Sequence, residues 1–339
     1  MISIAEFQDA LKLLDRSERI VITTHIKPDG DACGSLVALY RALTARGKNV
    51  SALFLTECPS WYTFLIHEQI PVLARDVTLD QLERQGYDLV VLVDVNSLSQ
   101  LTNLEDYVRD PARSVLVIDH HPTGEGLGTI ELIDDTAGAT GIIVKEFLAF
   151  AQWPLRLDIA EALFVAIATD TGWLQFGNAH SREYRACADL IDMGVDPRDI
   201  YSKLYHNFSF ERFQLMRAML DTLVLFFEGR FAVQYLRKED FERIGAHYED
   251  TENLINECHR IDSVVVSALL VELADGRIRC SLRSRGAVDV SQIALQFGGG
   301  GHKMASGTFL PGPLENALGV INKTIASCLN ENKNDVSKD

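Results

Sequence analysis

The feature that most constrains this chain is a set of short apolar runs, each of which stops at acidic or imidazole side chains. The nearly continuous run Tyr87 to Val93 ends on Asp94, Ser114 to Ile118 ends on Asp119-His120-His121, and Ile20 to Ile22 leads into His25-Ile26-Lys27-Pro28-Asp29-Gly30-Asp31. A strand without polar alternation must be covered on both faces, as in a parallel sheet sandwiched between helices. Helical stretches alternate with these runs, among them Ala32 to Arg46, Gly141 to Gln152 and Leu157 to Thr169. The alternation predicts an α/β fold with a doubly wound, mainly parallel sheet. In such sheets ligands bind outside the carboxyl ends of the strands, so the terminal polar groups should converge there.

The turn after the first run carries one imidazole and two carboxylates, His25, Asp29 and Asp31. Pro28 and Gly30 force an irregular loop, and the helix near Ala32 begins with its amide donors facing that loop. Imidazole with carboxylate suits zinc, manganese or iron, and paired carboxylates suit manganese or magnesium. A further apolar stretch, Ala162 to Thr169, stops at Asp170 and is followed by Thr171-Gly172. A strand-end Asp standing alone is ordinarily a cap or turn residue. The ordered series His-x3-Asp-x-Asp, Asp, Asp-His-His and Asp reads instead as one metal site assembled from four elements.

The C-terminal part has a different grammar. Arg230 to Leu236 and Ser263 to Leu273 have strand character, Asp275-Gly276 is a hairpin signal, and Arg277 to Leu282 should return antiparallel. A short helix from Val290 to Phe297 leads into Gly298-Gly299-Gly300-Gly301-His302. Thr308 to Leu310 reads as a further strand, and Pro313 to Leu329 as a closing helix. Consecutive residues without Cβ let a backbone approach an anion closely, and the upstream Arg283 and Arg285 are suited to bidentate phosphate contacts. The expected organisation is a catalytic domain over residues 1–185, a helical linker over 186–228, a smaller mixed-sheet α/β substrate-binding domain over 229–330 and a flexible tail over 331–339.

Composition narrows the substrate. With 32 basic and 48 acidic side chains the formal net charge is −16, which disfavours tracking along long nucleic acid. A substrate with one or a few phosphates meets no such objection. The six cysteines contain no C-x2-C pair, so neither a zinc knuckle nor a disulfide framework is indicated, and a reducing cytoplasm is expected. The N-terminus reads as an amphipathic helix with Ile4, Phe7, Leu11 and Leu14 on one face rather than a signal peptide. No run approaches the roughly 18 consecutive apolar residues of a membrane span.

Taken together, Asp119-His120-His121 with its flanking acids resembles the DHH phosphoesterase superfamily. Gly298-Gly299-Gly300-Gly301-His302, Lys303-Met304-Ala305-Ser306-Gly307 and Arg283-Ser284-Arg285-Gly286 resemble the DHHA1 domain that accompanies one of its branches. The likeness runs from Ile20 to about Leu329 and is strongest to the short nanoRNases and 3′,5′-bisphosphoadenosine phosphatases. It implies that His25 and Asp29 hold one divalent ion, that Asp31, His120 and Asp170 hold a second, and that Asp94 bridges them. Two such ions, about 3.5 to 4 Å apart, activate a shared water and clamp phosphoryl oxygens. Mn²⁺, two ions per chain, is the implied cofactor, with Mg²⁺ or Co²⁺ as substitutes. His121 is placed by the resemblance against the substrate phosphate and Asp119 behind a histidine, with a turn-capping role open for Asp119. Arg283, Arg285, Gly299, Gly300, Gly301 and His302 are the implied substrate-binding residues. The expected substrates are short RNA oligonucleotides and nucleotide bisphosphates, cut from an end in a cleft between the two domains. No membrane partner is expected, and a homodimer is left open. Cyclic di-AMP or pApA hydrolysis and a non-catalytic nucleotide sensor remain alternatives. A manganese pyrophosphatase should lack the glycine signature, and a processive single-strand exonuclease would need further modules.

Overall fold

The computed structural model describes residues 1–206, 208–286 and 288–335, and the chain forms two compact units, Met1–Asn207 and Phe208–Asp339. In the first unit the order is α1 (Ile4–Arg16), β1 (Arg19–Thr23), α2 (Gly30–Ala45), β2 (Asn49–Ala52), α3 (Leu79–Gln85), β3 (Leu89–Val93), α4 (Glu105–Arg109), β4 (Ser114–Asp119), β5 (Ile130–Ile133), α5 (Thr140–Phe150), α6 (Leu157–Asp170), α7 (Ser181–Asp192) and α8 (Pro197–Tyr205). The strands pair in the order β2-β1-β3-β4-β5, all parallel.

The apolar runs have the expected cause. Along β3, Leu89, Val91 and Val93 join a core with α1, α2, α5 and α6, whereas Val90 and Leu92 join a second core on the opposite face with Leu82, Leu98 and Tyr107. The central strands β1, β3 and β4 are thus apolar on both sides. The chain leaves β1 for β2 on one side and returns to β3 on the other, so the order reverses between β1 and β3. The carboxyl ends of β1 and β3 therefore mark the switch point at which ligands bind in open α/β sheets.

The second unit comprises α9 (Phe210–Asp221), β6 (Val224–Phe226), β7 (Phe231–Leu236), α10 (Lys238–Ile244), β8 (Val266–Glu272), β9 (Arg277–Ser284), α11 (Val290–Leu295), β10 (Gly300–His302), β11 (Ala305–Pro311) and α12 (Leu314–Asp335). Its mixed sheet has the order β10-β11-β9-β8-β7-β6, with β7 and β8 parallel and the other pairs antiparallel. Asp275-Gly276 turns β8 back into β9, with Gly276 at φ +82°, as the hairpin signal predicts. One sheet face packs Val266, Ala268, Leu270, Ile278, Cys280 and Leu282 with residues of α11 and α12.

Two features differ from the sequence reading. The stretch 186–228 is divided between the units: Cys187, Leu190, Ile200 and Leu204 pack into a core of the first unit, and Leu215 and Met219 into a core of the second unit. The closing helix continues to Asp335, so 331–335 of the expected tail are helical and 336–339 lie outside the described residues. No helix among the described residues is long and apolar enough to cross a membrane.

Candidate functional site

At the carboxyl edge of the parallel sheet, four elements deliver their terminal polar groups to one place. His25, Asp29 and Asp31 come from the turn between β1 and α2. Asp94 follows β3, Asp119, His120 and His121 close β4, and Asp170 closes α6. Asp94 adopts φ +59°, a left-handed conformation that Asp tolerates and that turns the chain sharply at the end of the strand. Its backbone N–H still donates to Ile118 O at 2.9 Å, which fixes the turn.

Three overlapping groups of donors result: His25, Asp29 and Asp94; Asp31, His120 and Asp170; and Asp94, His120 and His121. His25 Nε2 lies 3.9 Å from Asp29 Oδ1 and 3.6 Å from Asp94 Oδ2. His120 Nε2 lies 3.9 Å from Asp31 Oδ2, 3.7 Å from Asp94 Oδ1 and 3.6 Å from Asp170 Oδ2. Asp94 is common to both imidazoles.

Hydrogen bonding fixes what these imidazoles present. His25 Nδ1 donates to Ile26 O at 2.8 Å and His120 Nδ1 donates to Ala137 O at 3.1 Å, because a carbonyl can only accept. With Nδ1 as the donor, each ring in its neutral form turns the Nε2 lone pair toward carboxylate oxygens. Acceptor facing acceptor is repulsive unless a cation stands between them. Among the described residues no lysine or arginine lies within 4 Å of Asp29, Asp31, Asp94 or Asp170. Four carboxylates and two imidazoles, with no lysine or arginine within 4 Å of those carboxylates among the described residues, make a donor set that could hold a divalent cation, and the residues fit such an ion.

The electrostatics agree. Burial first, and then the neighbouring carboxylates, hold Asp31 and Asp94 far above the usual carboxylate range. Burial and Asp29 push Asp170 to about 7. Burial and His121 lower His120. For His121 burial acts in the same direction, but its 2.7 Å bond from Nδ1 to Asp119 Oδ1 together with the charges of Asp119, Asp170 and Asp29 outweighs it, and the pKa is raised. Asp119 Oδ1 also accepts the backbone N–H of His120 at 2.9 Å. Fully buried, Asp119 thus orients both members of the pair.

Two partners escaped the sequence reading. Thr140 and Gly141, at the start of α5, donate their backbone N–H groups to the two oxygens of Asp31, and Thr140 Oγ1 donates to Asp94 Oδ1 at 3.0 Å. The N-terminus of α5 thereby holds a carboxylate in place, a role that any residue type's amides could fill and that leaves little sequence signal. Ser35 Oγ adds a 2.9 Å bond to Asp31 Oδ1.

In the second unit, alternation along β9 places Arg279, Ser281 and Arg283 on one half-buried face, beside Tyr248 and Asn253. Arg279 donates to Tyr248 Oη, and Arg283 donates to Leu282 O at 3.1 Å. Among the described residues neither guanidinium has a carboxylate within 4 Å. Arg285 is different: it donates to the backbone carbonyls of His259, Ile261 and Asp262 and so ties down that loop. The glycine run is not a free loop. Gly300–His302 pairs with β11, and a Cβ on Gly299 would stand 2.3 Å from Gly307 O, so close strand approach requires that glycine. At Gly300 a Cβ would meet open space, and Gly301 takes φ +131°. The side chain of His302 lies outside the described residues.

Residues 19–169 match the DHH family, N-terminal domain, and residues 228–331 match the DHHA1 domain. The bifunctional oligoribonuclease and PAP phosphatase NrnA of Thermus thermophilus is 32% identical over 298 residues, spanning 86% of this chain and 84% of that protein. The protein of the same name from Bacillus subtilis is 23% identical over 304 residues, spanning 88% and 91%. A crystal structure of an exopolyphosphatase-related protein from Bacteroides fragilis matches with a TM-score of 0.89 at 26% identity, covering 98% of this chain and 99% of that one. With the Asp-His-His triplet at the end of β4 and a DHHA1 domain behind it, the chain belongs to the DHH family of phosphoesterases.

Proposed function

We propose that this protein hydrolyses short RNA oligonucleotides from an end to mononucleotides and removes the 3′-phosphate of 3′,5′-bisphosphoadenosine, with Mn²⁺ as its working cation and Mg²⁺ or Co²⁺ as substitutes. The observation that carries the reading is the pair of imidazole Nε2 atoms aimed into four carboxylates, with no lysine or arginine within 4 Å of those carboxylates among the described residues. His25, Asp29 and Asp94 would hold one ion, and Asp31, His120 and Asp170 a second, with Asp94 shared. When bound, divalent cations supply an acidified water and Lewis-acid stabilisation of the phosphoryl oxygens. Relatives named as oligoribonuclease and PAP phosphatase support the choice of substrate.

The chain's own groups complete the chemistry. His121, held by Asp119 and with a raised pKa, carries a proton that it can give to the departing ribose oxygen. Thr140 and Gly141 keep Asp31 oriented, so the donor set is preorganised before substrate arrives. Arg283, with Gly300 and Gly301, would take a terminal phosphate in the second unit, and Arg279 on the same face adds positive charge to it. Phosphate recognition of this kind favours very short chains, consistent with a formal net charge of −16 that repels long polyanions.

The test is a product time course with Mn²⁺ on end-labelled RNA from dinucleotides to long oligomers, run beside bisphosphoadenosine, cyclic di-AMP and pyrophosphate. Mononucleotides released one by one from short RNA, together with phosphate from bisphosphoadenosine, are the expected products. Turnover confined to cyclic di-AMP or pyrophosphate would overturn the assignment, and Mn²⁺-dependent binding without any product would mark a sensor.

A further inference from the structure

The first unit places two cysteines within reach of each other beside the turn that carries His25, Asp29 and Asp31. Cys33 lies in the first turn of α2 and is fully buried, and Cys58 lies in the segment after β2 and is half-buried. Their sulfurs are 3.6 Å apart. A disulfide requires about 2.05 Å, so a gap of about 1.5 Å separates the reduced pair from a bond.

Both cysteines hang on segments that hold the catalytic turn. The backbone N–H of Cys33 donates to Asp29 O at 3.0 Å, and Asp31 stands two residues before it. Two residues before Cys58, Thr56 Oγ1 accepts the backbone N–H of Lys27 at 2.6 Å. Lys27 itself adopts φ +54°, so the turn is already held in a sparsely populated conformation. Drawing the sulfurs together pulls the first turn of α2 against the 56–59 segment and displaces the carboxylates at its head.

We propose that Cys33 and Cys58 are an oxidation site, at which a hydroperoxide converts the two thiols into a reversible disulfide that disables the neighbouring metal-binding turn. Cys58 is the more exposed thiol and reacts first. Its sulfur attacks one peroxide oxygen, the O–O bond breaks, and a sulfenic acid forms while water or an alcohol departs. The Cys33 sulfur then displaces the sulfenic oxygen, which leaves with the Cys33 proton as water, and the S–S bond closes. Two electrons pass from the thiols to the peroxide. A dithiol reverses the step by exchange.

The test uses the full chain, freed of metal, treated with hydrogen peroxide and then quenched. Peptide mass mapping should show residues 33 and 58 joined, with loss of two hydrogens from the intact mass. Mn²⁺ titration should show affinity weakened roughly tenfold or more, and turnover of an RNA dinucleotide should fall by a similar factor, since displacements near 1 Å at a site cost up to about 100-fold. Dithiothreitol should restore both, and Cys58→Ser should escape both effects. A Cys58 that ends as sulfinic acid with no joined peptide overturns the proposal, as does a joined peptide with unaltered Mn²⁺ affinity. Because Mn²⁺ affinity is read without substrate, the result stands apart from the choice of RNA or bisphosphoadenosine as the reactant.

Discussion

Neighbouring imidazoles on one strand end move in opposite directions because their Nδ1 atoms meet different acceptors. His120 bonds a neutral carbonyl and stays deprotonated at Nε2, as a metal ligand must. His121 bonds the buried carboxylate of Asp119 and keeps its proton to higher pH. If protonated His121 assists the leaving oxygen, the rate falls as pH rises through its folded-state pKa. Asp119→Asn removes the charge that raises that pKa, so the falling limb of the pH–rate profile should shift to lower pH. His121→Asn should lower kcat by about 100- to 10,000-fold, the usual worth of a positioned general acid, while Mn²⁺ affinity changes little. A His121 variant that loses metal affinity in proportion to turnover would make His121 a ligand instead, as its 3.9 Å approach from Nδ1 to Asp94 Oδ1 permits.

The site is also a product of how two helices meet. Asp31 heads α2 and Asp170 ends α6, so their carboxylates share a cation site only if these helices run close together. Gly30 and Gly34 make that possible: a Cβ at Gly34 would stand 2.3 Å from Ala162 O and 2.9 Å from the Cβ of Ala166. Gly34→Ala gains up to about 1 kcal/mol of helix propensity and loses about 1–3 kcal/mol to overpacking. The loss wins, because the obstructing atom is a backbone oxygen that cannot swing aside. Chemical denaturation should therefore place Gly34→Ala below the wild type in stability, and its Mn²⁺ affinity should fall as Asp31 and Asp170 separate. Sequence patterns anticipated the strands that carry Asp94 and Asp119, because a run apolar on both faces has few other structures open to it. They could not anticipate β5, whose Ile130–Ile133 alternates weakly at a sheet edge, or the three-residue β10, which forms only because Gly299 lets it approach β11. Arg283 and Arg285 look alike in sequence. One stands on the half-buried face of β9, and the other lies just past the strand end and is committed to three carbonyls.

At the scale of the whole chain, the metal site is a cost that the rest of the fold carries when no cation is bound. Asp31, Asp94 and Asp170 all have folded-state pKa values above the roughly 3.9 of an unfolded Asp. Such groups bind more protons folded than unfolded, so their contribution is most favourable below the unfolded value and is lost as pH rises through the folded one, about 7 for Asp170. The metal-free protein should therefore lose melting temperature between about pH 5 and pH 8. A divalent cation that binds only the folded chain replaces those protons, and the rise in Tm on adding Mn²⁺ should be larger at pH 8 than at pH 5. Asp170→Asn separates this from any general effect of pH, because it removes one buried charge while keeping the shape. Without metal, that variant should hold its Tm better than the wild type across the same pH range, and with Mn²⁺ the order should reverse. Parallel melting curves for the two metal-free proteins at every pH would mean that Asp170 is not ionising in a buried, uncompensated cluster, and the four carboxylates would then have to find their balance without a cation.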